Sequence, residues 1–351
     1  MTLSWTLICR SMIVALSCAT QEPAKPEIPD LPDKEGFAGM FAGVSHDALL
    51  VAGGANFPER KPWEGGTKVW HDTVYVLESK TSEWKTAGRL PRALAYGVAV
   101  TSGDGVVMVG GADATKHYAD AFVMTWKDGQ LATKPLPSLP QPLAYGCGAL
   151  IGNKLYLSGG QTAPDTMPVN SLYRLDLASK EPKWETLKDC PASGRMLAAA
   201  AAPDNSLIIA GGVTLVQDER GKLQRKYLDT VYSYDDEHGW RELAKLPRPS
   251  TAAPSPCPNT ARGFLLLGGD DGSQIGQEPD KHRGFSPELW EYDVPKNSWS
   301  IFDKTTLPRV TTPCVMWEKL IVVPSGEIKP GHRTPRILVI DPSERVPAHD
   351  K

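Results

Sequence analysis

Five apolar runs in the chain break off at a pair of glycines: Leu49-Leu50-Val51-Ala52-Gly53-Gly54, Val106-Val107-Met108-Val109-Gly110-Gly111, Leu155-Tyr156-Leu157-Ser158-Gly159-Gly160, Leu207-Ile208-Ile209-Ala210-Gly211-Gly212 and Leu265-Leu266-Leu267-Gly268-Gly269. A sixth, Ile321-Val322-Val323-Pro324-Ser325-Gly326, is degenerate and keeps only the second glycine. Successive first glycines stand 57, 49, 52 and 57 residues apart, and Gly269 to Gly326 is again 57. Short apolar runs bounded by glycine predict strands. A period near fifty residues predicts repeated supersecondary units that bury their faces only against one another.

Each unit carries further marks. A Leu-Pro-like turn precedes the apolar run at Leu31-Pro32, Leu90-Pro91, Leu139-Pro140, Cys190-Pro191, Leu246-Pro247 and Leu307-Pro308. An aromatic-bearing strand and a Trp follow it in most units: Tyr75 with Trp84, Tyr173 with Trp184, Tyr232 with Trp240, Trp290 with Trp299. This pattern resembles the kelch repeat. The resemblance implies an all-β fold, a six-bladed propeller of four-stranded blades. The last unit ends after Arg336-Ile337-Leu338-Val339-Ile340-Asp341 without a Trp strand, and Pro26 to Pro32 matches what should come next. The expected closure is therefore an N-terminal strand that completes the sixth blade, since an open ring would leave an exposed edge. Two separate domains are the alternative, but the repeat runs through any midpoint boundary.

Composition agrees with frequent turns. The 351 residues include 32 Gly and 31 Pro, and 41% are hydrophobic. With 38 Lys+Arg against 41 Asp+Glu, the net charge of −3 supplies no basic field for a nucleic acid.

The apolar stretch Leu3 to Ala19, ending in Leu16-Ser17-Cys18-Ala19, reads as a secretory signal. Residues 1–19 are expected to be removed or lipid-anchored, and 20–351 to form a single propeller in the periplasm or otherwise exported. Ala15-Leu16-Ser17-Cys18 resembles a degenerate lipobox, which makes Cys18 the residue for a lipid anchor. A cytoplasmic N-terminus is the competing reading, since Arg10 interrupts the run. Cys147, Cys190, Cys257 and Cys314 lack metal-ligand spacing and read as buried thiols; no metal is expected.

Phosphate-binding, dinucleotide, nucleophile-elbow and helical metal motifs do not appear. Chemistry must then sit on loops gathered at the channel ends of the ring. The longest departures from a minimal repeat are Ala55 to Asp72, containing Asn56, and Asp270 to Glu288. The sixth unit follows its broken glycine pair with Glu327-Ile328-Lys329-Pro330-Gly331-His332-Arg333-Thr334. A Glu beside Lys and Arg suits either a tuned acid/base next to a carboxylate-binding Arg or a surface ion cluster, and spacing alone leaves both open.

Gly326 to Thr334 resembles the GEAKPGxRT motif of the bacterial N-acetylneuraminate epimerases, the sialic acid mutarotases. Gly36-Phe37-Ala38-Gly39 and Arg92-Ala93-Leu94-Ala95-Tyr96-Gly97 are similar to that family's GFAG and RAYG segments. In the family those two follow the GEAKPG segment; here they precede it, as in a cyclically permuted branch. The resemblance implies a cofactor-independent isomerase that interconverts the anomers of N-acetylneuraminate or a related sugar acid. It implies Glu327 and Arg333 as catalytic residues, and Lys329, Arg92 and Tyr96 as substrate contacts; Asn56, in the Ala55 to Asp72 insertion, is expected as a further contact. The alternative is a non-catalytic propeller that binds a protein or glycan.

Overall fold

The computed structural model describes residues 28–343. Leader and lipid-anchor residues, Cys18 included, lie outside the described residues.

Six antiparallel blades stand around a central channel. Four are four-stranded; blade 1 pairs Phe41–Ser45, Ala48–Ala52, Thr73–Leu77 and Lys85–Arg89 in that order. Blades 2 to 4 repeat the meander over Val98–Leu136, Cys147–Leu187 and Ala199–Leu243. The apolar runs are their second strands, and the reason they do not alternate with polar residues is visible in the core. Leu49 and Val51 turn toward blade 6, whereas Leu50 and Ala52 turn toward blade 2. Successive side chains point to opposite faces, and both faces meet a neighbouring blade. Six apolar clusters result, one at each of the six blade interfaces.

The expectation of four ladder strands in every blade needs correction in one place. Blade 5 has three, Gly263–Leu267, Glu288–Asp293 and Ser298–Lys304. Its innermost position falls to Pro254-Ser255-Pro256-Cys257-Pro258, whose three prolines have no amide to donate to a ladder. Among the described residues blade 6 shows three ladder strands, Val315–Trp317, Leu320–Pro324 and Ile337–Ile340.

The N-terminal segment stands at the fourth position of blade 6, although its described residues are not a ladder strand. Four tryptophans show this. Trp184, Trp240 and Trp299 donate their indole N–H to Pro137, Lys188 and Ala244, carbonyls just past the outermost strand of the preceding blade, at 2.7–3.0 Å. Trp84 donates at 2.7 Å to Pro29, so Pro29 stands where the outer strand of blade 6 ends. The turn amides agree. Leu90, Leu139, Cys190 and Leu246 each donate to the carbonyl at the entrance of the third strand of their own repeat, and Leu31 donates at 3.0 Å to Pro335, just before Ile337–Ile340. Ile28 and Leu31 are buried with Trp317, Val322 and Ile337 of blade 6 and Leu49 and Val51 of blade 1.

The channel itself is girdled by backbone. Gly39, Tyr96, Tyr145, Leu197, Ala252 and Thr311, one per blade, form a closed belt in which each amide donates to the preceding member's carbonyl at 2.7–2.8 Å. All six have φ between 56° and 65°. That left-handed conformation is strained for the five that carry a Cβ. At Gly39 only hydrogen fits, because a Cβ would stand 2.3 Å from the Tyr96 ring.

If Leu31 holds the seam, Leu31→Ala should destabilise the ring by about 2–4 kcal/mol through cavity formation. Hydrogen exchange should then rise first in blades 1 and 6; uniform exchange around the ring would contradict a local seam.

Candidate active site

Immediately after each glycine pair the chain pairs with the residue preceding a belt member. The six bridges are Ala38–Ala55, Ala95–Ala112, Ala144–Gln161, Met196–Val213, Thr251–Asp270 and Val310–Glu327. Each is closed by two reciprocal backbone hydrogen bonds of 2.7–3.0 Å. Glu327 is thus the blade 6 member of a ring of six equivalent positions at the channel mouth, with Asp270 beside it in blade 5.

Three blades extend this position into hairpins: Ala55–Asn56 with Val69–Trp70, Val213–Gln217 with Leu223–Tyr227, and Glu327–Lys329 with His332–Arg333. The last is the segment Gly326 to Thr334, turning at Pro330-Gly331. Glu327 and Arg333 face each other across it, and Glu327 Oε1 accepts a hydrogen bond from Arg333 Nη2 at 2.7 Å. The Arg333 side chain is 4% exposed and that of Glu327 19%. Arg333 lies over the Phe57 ring, 4.7 Å from its centroid. Its Nε and Nη1 are buried without a hydrogen-bond partner among the described residues. Two orphaned guanidinium donors are costly to leave dry, and they suit an incoming carboxylate.

Burial pushes the Glu327 carboxyl above the usual range; the cations Arg333, Lys68 and Arg225 oppose the rise, and Asp270 adds to it. Lys68 stands 5.4–5.8 Å above the rings of Phe57, Trp70 and Tyr96. Burial lowers its pKa, helped by Arg333 and opposed by Glu327. Tyr96 is a belt residue whose ring packs on Tyr145 at 5.0 Å. Its phenol is held neutral by burial and by the Glu327 charge, against the opposing pull of the Arg333 guanidinium beside it.

Of the six residues singled out from sequence, the structure brings Glu327, Arg333 and Tyr96 together. Asn56 is fully buried beneath them, donating to Asp33 Oδ1 and the Gly36 carbonyl and pairing its own oxygen with His71 Nε2. Those bonds occupy the amide and brace the turn that carries Phe37 and Gly39. Arg92 lies elsewhere, its guanidinium 4.4 Å over Tyr118 and paired with Asp120. Lys329 lies on the outer part of the hairpin, where its charge acts on His282 and His332. Sequence reasoning passed over Lys68, Arg225 and Asp270. The first two sit in insertions of mixed charge with nothing local to mark them, whereas Asp270 could have been found by aligning the residue after each glycine pair.

Among the described residues no cluster of three or more His, Cys, Asp or Glu is placed to hold a metal ion. No helix there is long and apolar enough to cross a membrane. The four described cysteines are buried free thiols.

The N-acetylneuraminate epimerase family model matches residues 19–133. Curated N-acetylneuraminate epimerases of Yersinia enterocolitica and Salmonella enteritidis are 39% and 40% identical over 108 and 119 residues. These matches cover 28% and 31% of this chain and 27% and 30% of the relatives, so the chain spans less than a third of the length of the curated relatives it matches. Glu327 to Thr334 lies outside the residues the family model matches. The solved structure of YjhT superposes with a TM-score of 0.66 at 14% identity, covering 92% of this chain and 98% of that one. Residues 19–133 are therefore similar in sequence to the N-acetylneuraminate epimerases, and the chain shares the propeller fold of YjhT.

Proposed function

We propose that this chain is a mutarotase that interconverts the α and β anomers of N-acetylneuraminate or a closely related sugar acid. The observation that carries the reading is the buried Glu327–Arg333 pair at the channel mouth with two guanidinium nitrogens unpartnered among the described residues. A sugar acid offers what that pair lacks: a carboxylate for the free donors and, next to it, an anomeric hydroxyl for the glutamate. The likeness of residues 19–133 to the epimerases supports the same substrate class.

In this reading Arg333 holds the substrate carboxylate through its unpartnered N–H groups while Nη2 keeps Glu327 in place. Glu327 takes the proton of the anomeric hydroxyl, the ring C–O bond opens to the keto form, and closure on the other face returns the proton. The reaction needs no cofactor, since no electrons change hands and no group leaves. The neutral Tyr96 phenol and the inert belt keep the floor of the mouth uncharged, which concentrates the field on the reacting end of the sugar. Export of a chain built on kelch-type repeats from residue 20 onward belongs to the same proposal, and N-terminal sequencing of the mature protein should begin near residues 18–22.

Glu327→Gln should leave the melting temperature nearly unchanged and slow anomer exchange by ~10²–10⁴, measured by NMR exchange against a buffer control. Arg333→Lys should act mainly on KM, weakening binding roughly 10- to 100-fold as a paired contact becomes a single one. Equal exchange in wild type and buffer would favour a non-catalytic propeller that binds a glycan or protein.

The pH profile follows from the sign of the Glu327 shift. Only the ionised carboxylate accepts the proton, and its pKa is raised above 4.5. The rate should therefore fall as pH drops through that raised value, with the acid limb on the alkaline side of an unburied glutamate's. An acid limb at or below pH ~4.5 would show that another group titrates.

A further inference from the structure

The mutarotase reading supplies only half of the proton traffic. As the ring C–O bond breaks, the ring oxygen must gain a proton while the anomeric oxygen loses one. Glu327 serves the second event; the first needs a donor at the same mouth.

The groups around Glu327 narrow the choice. Arg333 and Arg225 are guanidinium groups, delocalised cations that make poor proton donors. The Tyr96 phenol is buried and held neutral, a poor donor. Asp270 is committed as an acceptor, to the Tyr227 hydroxyl at 3.1 Å and the Gly272 amide at 2.9 Å. Lys68 is different. Among the described residues its ammonium has no hydrogen bond and no ion pair, and it is held by three aromatic faces, those of Phe57, Trp70 and Tyr96. The first two belong to its own insertion in blade 1, and Tyr96 is the blade 2 member of the belt. Three rings fix the position of the ammonium without using any of its protons, so all three N–H groups remain available to a ligand.

We propose that Lys68 is the proton donor to the ring oxygen of the sugar acid, acting across the mouth from Glu327. The assignment rests on the mutarotase reading. The step balances without a co-reactant. The Lys68 ammonium gives a proton to the ring oxygen as its bond to the anomeric carbon breaks, while Glu327 accepts the anomeric hydroxyl proton and the carbonyl forms. After the carbonyl carbon turns its other face, the chain hydroxyl attacks it and returns its proton to the Lys68 amine. The protonated Glu327 then supplies the proton of the new anomeric hydroxyl. The titratable and charged groups facing Lys68 are Arg333 and Glu327 on the blade 6 hairpin and the Tyr96 phenol; Phe57 and Trp70 add none. Burial and Arg333 together ease the release of its proton, and Glu327 restrains it.

Two variants separate proton donation from charge. Lys68→Arg keeps a cation on the rings but not a releasable proton, and Lys68→Met removes both. Each would be compared with wild type and Glu327→Gln by NMR anomer exchange of N-acetylneuraminate across pH, with thermal melting as the control for folding. Lys68→Arg is expected to lower kcat on the order of 10²-fold at little change in KM and to abolish the alkaline limb that loss of the Lys68 proton gives the wild-type pH profile. Lys68→Met is expected to lower kcat similarly and to raise KM as well. If wild type accelerates exchange while Lys68→Arg retains both kcat and the alkaline limb, Lys68 only binds, and the donor assignment is overturned with the mutarotase reading intact. If wild type matches buffer, both are overturned.

Discussion

The belt of six backbone hydrogen bonds around the channel is the constraint on which the rest of the molecule depends. It closes only if every blade delivers one residue to the axis in the left-handed conformation. Five of the six are not glycine, and Thr311 is β-branched, so the conformation is held against local preference. What holds it is the packing of six apolar interfaces, each built from alternate residues of two facing strands. Belt and interfaces are mutually dependent. The interfaces force the belt residues inward, and the belt fixes the angle at which blades meet.

The seam shows how little the ring distinguishes its own ends. The second glycines of blades 1 to 4, Gly54, Gly111, Gly160 and Gly212, donate to a carbonyl at the entry to the next blade, and Gly326 donates likewise to Phe37. Where the other units have a first glycine, blade 6 has Ser325. Its hydroxyl accepts from the Phe37 amide at 2.7 Å and lies 2.6 Å from the Thr334 carbonyl. The residue that makes the repeat look degenerate therefore binds the N-terminal segment to the hairpin of Glu327 and Arg333. Seam and site are coupled through one hydroxyl. A ring joined this way has no structural reason to begin at a particular blade, which accounts for how Gly36 and Tyr96 can precede Glu327 along the chain and still meet it in space.

The architecture was legible because repetition multiplies a weak signal. One apolar run before a glycine pair means little, whereas six at a near-constant period specify blades, their number and their closure. Departures came from chemistry that acts locally. Three prolines remove a ladder strand from blade 5. The site was legible in part. Glu327 and Arg333 sit in one short hairpin, so their spacing in sequence is their spacing in space. Lys68 reaches them from an insertion some 260 residues away in the chain, which no local pattern encodes. Arg92 and Asn56 are drawn to other partners, Arg92 by Asp120 and the Tyr118 face, Asn56 by the turn beneath the belt.

The bridge positions carry a last consequence. Ala55, Ala112, Gln161, Val213, Asp270 and Glu327 are geometrically interchangeable, yet only the last two are charged, and they are neighbours. A backbone girdle with near six-fold symmetry gives an entering molecule no rotational reference. Two adjacent carboxylates, with cations gathered on the same side, give the funnel a heading. If a sugar acid docks here as proposed, its rotation about the propeller axis follows from which two of six equivalent corners bear acid, and relocating that pair by one blade would turn it by one sixth of a revolution without altering the wall it rests on.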